Sequence, residues 1–191
     1  MKSNLMALPI VLAMSLAMPV SVSAQTKVTP TMPATQIEPA ALSSPYEFVS
    51  AATSIDAFTI EASGLAKTRA ASTAVKALAA DLAAAHAARI EATRAAGKAD
   101  KVDIAEPAVD GEQKGLISKL EALDGAAFDR AYLDAMVYVH QRAIAYYAGF
   151  AKKDGELARF AAASLPVLVT QYDAIVALAG PAAAAEPAPK G

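Results

Sequence analysis

Cysteine and tryptophan are absent from this 191-residue chain, and histidine occurs only twice. The lack of cysteine excludes a disulfide framework, a thiolate metal site and a lipid attached through cysteine. The fold must therefore be stabilised by packing alone. An excess of one charge is also lacking, because 17 basic and 19 acidic residues nearly balance. Nothing in the charge composition indicates nucleic acid or an anionic membrane as a partner.

Alanine is abundant instead, β-branched runs are few, and glycines lie mostly at segment boundaries. This composition favours an all-α domain, and the length suits one such domain. No glycine-rich phosphate loop, HExxH motif or GxSxG motif occurs in the chain. The sequence therefore favours a protein without catalytic activity.

The two ends of the chain differ from its centre. Residues 1–24 combine a positively charged start, an apolar run and a small-residue cleavage site, which is typical of a secretory signal peptide. No later stretch is expected to be apolar enough to span a bilayer, so the mature chain is expected in the periplasm or outside the cell. Residues 25–43 predict a flexible leader and residues 181–191 a disordered tail. The domain is expected over residues 44–180.

Apolar residues recur at helical spacing in four long segments, which predicts four amphipathic helices. The segments run from Ser44 to about Lys67, from Ser72 to about Ala96, over Ala127–Tyr147, and from Glu156 to about Ala179. A long connection between the second and third helices contains a pattern for a short helix, Glu112 to Leu123. These features predict a ferritin-like four-helix bundle with a long, partly helical connection between helices two and three.

Four polar residues fall on the inward faces of these helices, one on each: Thr59, His86, His140 and Gln171. Each lies near the middle of its helix, so a bundle brings all four to one level of its interior. No Asp or Glu is expected to face the core at this depth. The four positions are the candidate site.

Two interpretations of these positions compete. In one, the imidazoles of His86 and His140 bind a transition metal or a haem, with Thr59 and Gln171 nearby. In the other, the four side chains satisfy one another by hydrogen bonding and bind no cofactor. A carboxylate-bridged di-metal site needs several inward acids and Glu-x-x-His pairs. The sequence has no such pairs, which favours the second interpretation.

Two motifs carry a family resemblance: SPYEFVxAA, at Ser44–Ala52, and FDxAYLDAxVxxHxxA, at Phe128–Ala143. They resemble those of exported bacterial proteins of unknown function with a ferritin-like four-helix fold. The resemblance covers about residues 44–179 and implies the same fold.

The resemblance also implies a degenerate site. Typical members carry a Glu, an Asp-His pair, a His and a second His where this chain has Thr59, Ala85-His86, His140 and Gln171. Only two histidines of that set remain. The expectation is a non-catalytic binding or structural protein of the cell envelope. The alternatives are a metal- or haem-binding protein using His86 and His140, and a helical adaptor for a protein partner that the sequence does not identify.

Overall fold

The computed structural model describes residues 31–180, and over this range the protein is helical, without a β-strand. After a short 3-10 turn at Ala34–Gln36, the helices are α1 (Pro45–Arg69), α2 (Thr73–Ala99), α3 (Gly111–Glu121), α4 (Gly125–Phe150) and α5 (Glu156–Ala179). The all-α prediction is therefore confirmed for the described residues. The predicted signal peptide, residues 1–24, and the predicted tail, residues 181–191, lie outside them.

Side-chain caps explain why the helix starts are readable from the sequence. The hydroxyl oxygen of Ser44 accepts the backbone N–H of Glu47 at 3.1 Å, and the Glu47 carboxylate accepts the N–H of Ser43 at 2.7 Å. Ser72 and Asp110 cap α2 and α3 in the same manner, each through the N–H three residues further on. Such caps satisfy backbone donors that a helix start leaves unpaired.

The four long helices enclose the core. Helix α1 packs against α2 and α4, and α5 packs against the same two helices, while the short α3 lies against α1 and α4. Large side chains from all four long helices are fully buried, among them Phe48, Phe58, Leu82, Phe128, Tyr132, Tyr147, Leu168 and Tyr172. Any polar side chain on an inward face must therefore find its partner inside the protein.

Two aspartates cap helices other than their own. Asp100, at the end of α2, accepts the first two backbone N–H groups of α5 at 2.9 and 2.8 Å, and these bonds lower the pKa of its carboxyl. Asp129 of α4 accepts the N–H groups of Ala71 and Ser72 just before α2. A negative charge is favourable at a helix start. These carboxylates therefore fix how the long helices meet at their ends.

The described part of the predicted leader, residues 31–43, lies against α4 and α5. Ala40 donates its N–H to the Ala145 carbonyl of α4 at 2.9 Å, and the Tyr172 hydroxyl donates to the Met32 carbonyl at 2.7 Å. The approach is close at Gly149, where an added Cβ would lie 1.8 Å from the Ala40 carbonyl oxygen. Glycine at this position is what lets the leader reach α4.

Helix α5 is long and apolar enough to cross a membrane by length and composition, with a mean hydropathy of 1.5 over its most apolar window. The expectation that no stretch after residue 24 has this character is wrong. Only 22% of that window is buried within the protein. Helix α5 nonetheless packs on α2 and α4 as a single helix that continues through Pro166.

The leader contact can be tested at Gly149. We expect Gly149→Ala to displace residues 31–42 from α4, because the new methyl group cannot share space with the Ala40 carbonyl. Hydrogen exchange should show lost protection of the Ala40 amide and retained protection within the long helices. Gly64→Ala is the matched control, because an added Cβ there meets nothing within 4 Å and should stabilise α1 by about 0.5–1 kcal/mol. Unchanged protection of the Ala40 amide in Gly149→Ala would contradict the contact.

Candidate functional site

A cluster of buried polar side chains lies between the long helices. It consists of Asp56 from α1, His86 and Arg89 from α2, and His140 from α4. Both histidines are 0% exposed, Asp56 is 1% exposed and Arg89 is 7% exposed. The structure brings His86 and His140 together, with their Nε2 atoms 3.3 Å apart. Their ring centroids are 5.2 Å apart, so the Nε2 edges of the rings face each other.

Helical spacing explains why α2 contributes two members of this cluster. His86 and Arg89 are three residues apart, so they lie on neighbouring turns of one helix face. Thr93 continues that face and is also fully buried, with its hydroxyl donating to the Arg89 carbonyl at 2.9 Å. The inward face of α2 is therefore polar over two successive turns.

The outer nitrogen of each histidine ring is held by an acceptor. His140 Nδ1 lies 2.9 Å from the Met136 carbonyl oxygen, which can only accept, so this nitrogen carries the proton. His86 Nδ1 lies 2.8 Å from Oδ1 of Asp56. When Asp56 is ionised, His86 also carries its proton on Nδ1. The two Nε2 atoms then face each other with their lone pairs.

Arg89 supplies the positive charge of the cluster. Its Nε donates to Oδ1 of Asp56 at 2.9 Å, and its Nη2 lies 2.6 Å from Nδ1 and 2.7 Å from Nε2 of His86. Its Nη1 donates to Oε1 of the half-buried Gln171 at 3.4 Å. One guanidinium thus contacts side chains from α1, α2 and α5. Breaking such a buried ion pair costs more than its net contribution to stability, because one charge is left uncompensated.

Burial and Arg89 together set the ionisation of the cluster. Burial raises the pKa of Asp56 to about 6, against the opposing effect of Arg89. Burial, followed by the charge of Arg89, lowers the pKa of His86 well below its usual range. Burial is also the main cause of the strongly lowered pKa of His140, with His86 and Arg89 adding to it. At pH 7 the cluster therefore pairs one carboxylate with one guanidinium, beside two neutral imidazoles.

The sequence interpretation missed both charged members. The expectation that no acid faces the core at this depth is wrong, because Asp56 is buried there. A signal was available, since Asp56 follows the core residues Phe48 and Ala52 at intervals of four. Arg89 lies three residues after His86 and belongs to the same stripe. Neither residue was among the four predicted positions, and charged side chains are seldom buried unless paired.

The other two predicted positions differ from one another. Thr59 is fully buried, but its hydroxyl donates to the Ile55 carbonyl of its own helix at 2.9 Å, and among the described residues no hydrogen bond joins it to the cluster. Gln171 joins the cluster only through Arg89. One carboxylate oxygen, Oδ2 of Asp56, is buried without a hydrogen-bond partner among residues 31–180. The polar network is therefore not fully satisfied by the described side chains.

A shallow groove between α2 and α5, with a volume of about 280 Å³, reaches the cluster from outside. Arg89 lines this groove together with alanines of α2 and with Phe160 and Val167 of α5. Asp56, His86 and His140 do not line it. Arg89 is thus the outermost member of the cluster and separates the two imidazoles from the groove.

The ionisation state can be tested through the pH dependence of stability. The folded histidines are neutral, so unfolding takes up protons below about pH 6.5, the ordinary histidine value. We expect the free energy of unfolding to fall from pH 7 to pH 5, by at most about 1.4 kcal/mol per pH unit for each histidine. Asp56 offsets part of this loss, because its raised pKa means that unfolding releases a proton between about pH 4 and 6.

Urea unfolding at pH 5, 6 and 7 measures this dependence. The variant His140→Gln should show a shallower slope than the parent protein, because one titrating imidazole is gone. A free energy of unfolding that stays constant or rises towards pH 5 would mean that the folded histidines are charged.

Comparison with known proteins gives one match. Residues 30–178 match the family described as Domain of unknown function (DUF4142). No curated protein and no solved structure matches the chain. The match spans most of the chain, including all members of the cluster and all five helices apart from the last residue of α5. The chain therefore belongs to the DUF4142 family, whose function is unknown.

Proposed function

We propose that this chain is an exported, ferritin-like four-helix protein that acts without catalysis, as a binding or structural component of the cell envelope. The mutual packing of α1, α2, α4 and α5, with α3 inside the long connection between α2 and α4, supports the ferritin-like architecture. Export to the periplasm rests on the signal-like pattern of residues 1–24.

The observation that carries the non-catalytic proposal is the position of Arg89. Its guanidinium already pairs with the carboxylate of Asp56 and lies within 2.7 Å of both ring nitrogens of His86. A metal ion beside the imidazoles would bring further positive charge into a buried site with one carboxylate. With Arg89 in this place, the residues do not fit a bound transition metal. The cluster instead ties α1, α2 and α5 together.

A haem fits between the two histidines less well than a single metal ion does. Two histidines on opposite sides of a haem iron place their nitrogens about 4 Å apart, twice a metal–nitrogen bond of about 2.0 Å. Here the two Nε2 atoms are 3.3 Å apart, and both rings are fully buried among side chains. There is no room between them for a macrocycle.

The proposal is tested on the full-length chain, expressed in a bacterium with its own leader and then fractionated. We expect the protein in the periplasmic fraction, with a mass corresponding to a start at Gln25. Elemental analysis of the purified protein should find less than about 0.1 transition metal per chain. A cytoplasmic protein of full-length mass would refute export. About one metal per chain would refute the non-catalytic structural role.

A second candidate function, metal binding by His86 and His140 once Arg89 has moved, is favoured by a different observation. Both imidazoles have Nδ1 held by an acceptor and Nε2 turned inwards, as metal-binding histidines usually do. Nitrogens at about 2.0–2.1 Å from a zinc ion and 3.3 Å apart subtend about 104–111°. That angle is close to tetrahedral.

Replacing Arg89 separates the two candidates. We expect Arg89→Ala to bind Zn²⁺ at about one ion per chain, because the competing charge is gone and Asp56 still orients His86. The parent protein should bind none, and Arg89→Ala combined with His140→Ala should lose the gain. Titration calorimetry measures binding, and Arg89→Gln, which keeps more of the packing, serves as a second variant.

Two results of this titration would decide between the structural role and metal binding. Zinc binding by the parent protein that disappears in His140→Ala would support the second candidate over the first. Folded Arg89 variants that bind no zinc would exclude the second candidate and leave the structural proposal standing.

A further inference from the structure

The outer face of α5 is apolar and has no partner among the described residues. Val167 is 53% exposed and Leu178 is 41% exposed, and these are two of the four large hydrophobic residues exposed within residues 31–180. From Phe160 to the end of α5, Asp173 is the only charged residue. An apolar face of this length on the outside of a packed helix is typical of an interaction surface.

Five exposed residues of this face repeat at the spacing of paired helices. Counted along α5, they alternate between steps of four and three residues, which is the heptad pattern of one helix packing along another. The residues of this seam are Ala163, Val167, Thr170, Ala174 and Ala177, all of them exposed. The half-buried Phe160 extends the seam by one step towards the start of the helix.

The neighbouring surface of α2 consists of small side chains. Ala85, Ala88 and Ala92 line the groove between α2 and α5, beside Phe160 and Val167. Small side chains allow a second helix to approach closely, and the groove gives room for a protruding side chain. The seam of α5 and the alanine surface of α2 therefore form one largely apolar face, with Arg89 and Ser164 also lining the groove between them.

The charges at the edge of the seam indicate what covers it. Arg159 and Asp173 lie two heptads apart on the same edge, at equal distances from Pro166. If a second α5 runs antiparallel across the first, Arg159 of each copy meets Asp173 of the other. Val167 of one copy then lies over the smaller Ala163 of the other. In a parallel pair, Arg159 of one copy and Asp173 of the other would lie 14 residues apart along the helix axis and could not meet.

We infer that the outer face of α5 is a homodimer interface, in which two copies of this chain pair antiparallel about a two-fold axis near Pro166. Such an interface is self-complementary, as two-fold symmetry requires. A membrane surface fits this face less well, because interfacial helices carry several basic residues around their apolar side. Arg159 is the only basic residue of α5.

Sedimentation velocity of the purified chain over a range of concentrations tests the inference. We expect the parent protein to dimerise and Val167→Glu to weaken the dimer at least about tenfold, because two buried carboxylates would face an apolar seam. Tyr46→Glu is the matched control, since Tyr46 is 61% exposed and lies outside this face. It should leave dimerisation unchanged, and both variants should keep the helical circular-dichroism spectrum of the parent protein.

A charge exchange tests the antiparallel arrangement itself. Arg159→Asp and Asp173→Arg should each weaken the dimer about threefold, and the double variant should recover the parent affinity to within about twofold. Arg159 also pairs with Glu156 within α5, and Arg159→Asp removes that pair as well. Recovery of affinity in the double variant is therefore the decisive result.

Three results would overturn the inference. The first is a parent protein that stays monomeric up to about 100 µM. The second is a double variant whose loss equals the sum of the two single losses. The third is a monomer that binds vesicles of anionic phospholipid through Val167, which would assign the face to a membrane.

Discussion

The structure depends on one buried ion pair, between Arg89 of α2 and Asp56 of α1. A carboxylate that is 1% exposed can remain ionised in a core only beside a compensating charge. The Arg89 guanidinium provides that charge and, through separate nitrogens, also reaches His86 and Gln171. Lysine could not replace it, because an ammonium group has no planar fork of donors and loses its proton more readily when buried. The polar centre of these helices is therefore built around the guanidinium of Arg89.

The guanidinium of the same pair also affects the ionisation of both histidines. Burial and the nearby guanidinium both favour neutral imidazoles, and the acceptors on Nδ1 turn both Nε2 atoms inwards. Two inward Nε2 atoms are what a metal-binding pair of histidines presents, but the guanidinium of Arg89 lies beside them. A catalytic acid or base would need contact with a substrate, whereas both imidazoles are fully buried and separated from the α2–α5 groove by Arg89.

Local sequence signals predicted the helices well because their causes are local. Caps at Ser44, Ser72 and Asp110 lie within three residues of the groups they satisfy, and helical spacing placed both histidines inside. Asp56 and Arg89 were missed because their burial depends on each other, across two helices, which no single amphipathic pattern contains. Thr59 shows the opposite failure, since a hydroxyl can be buried without a distant partner when its own helix supplies an acceptor.

Helix α5 contributes both to the core and to the exposed outer surface. Its start is capped by Asp100 from α2, and Tyr172 near its end is bonded to the leader segment at Met32. These contacts hold the helix at both ends, so its outward seam is presented on a fixed support. Leaving the protein to enter a bilayer would break both contacts and expose the inward side of α5. A second copy needs neither change, because it can pack on the seam as it stands. These contacts of α5 therefore favour a protein partner over a lipid bilayer.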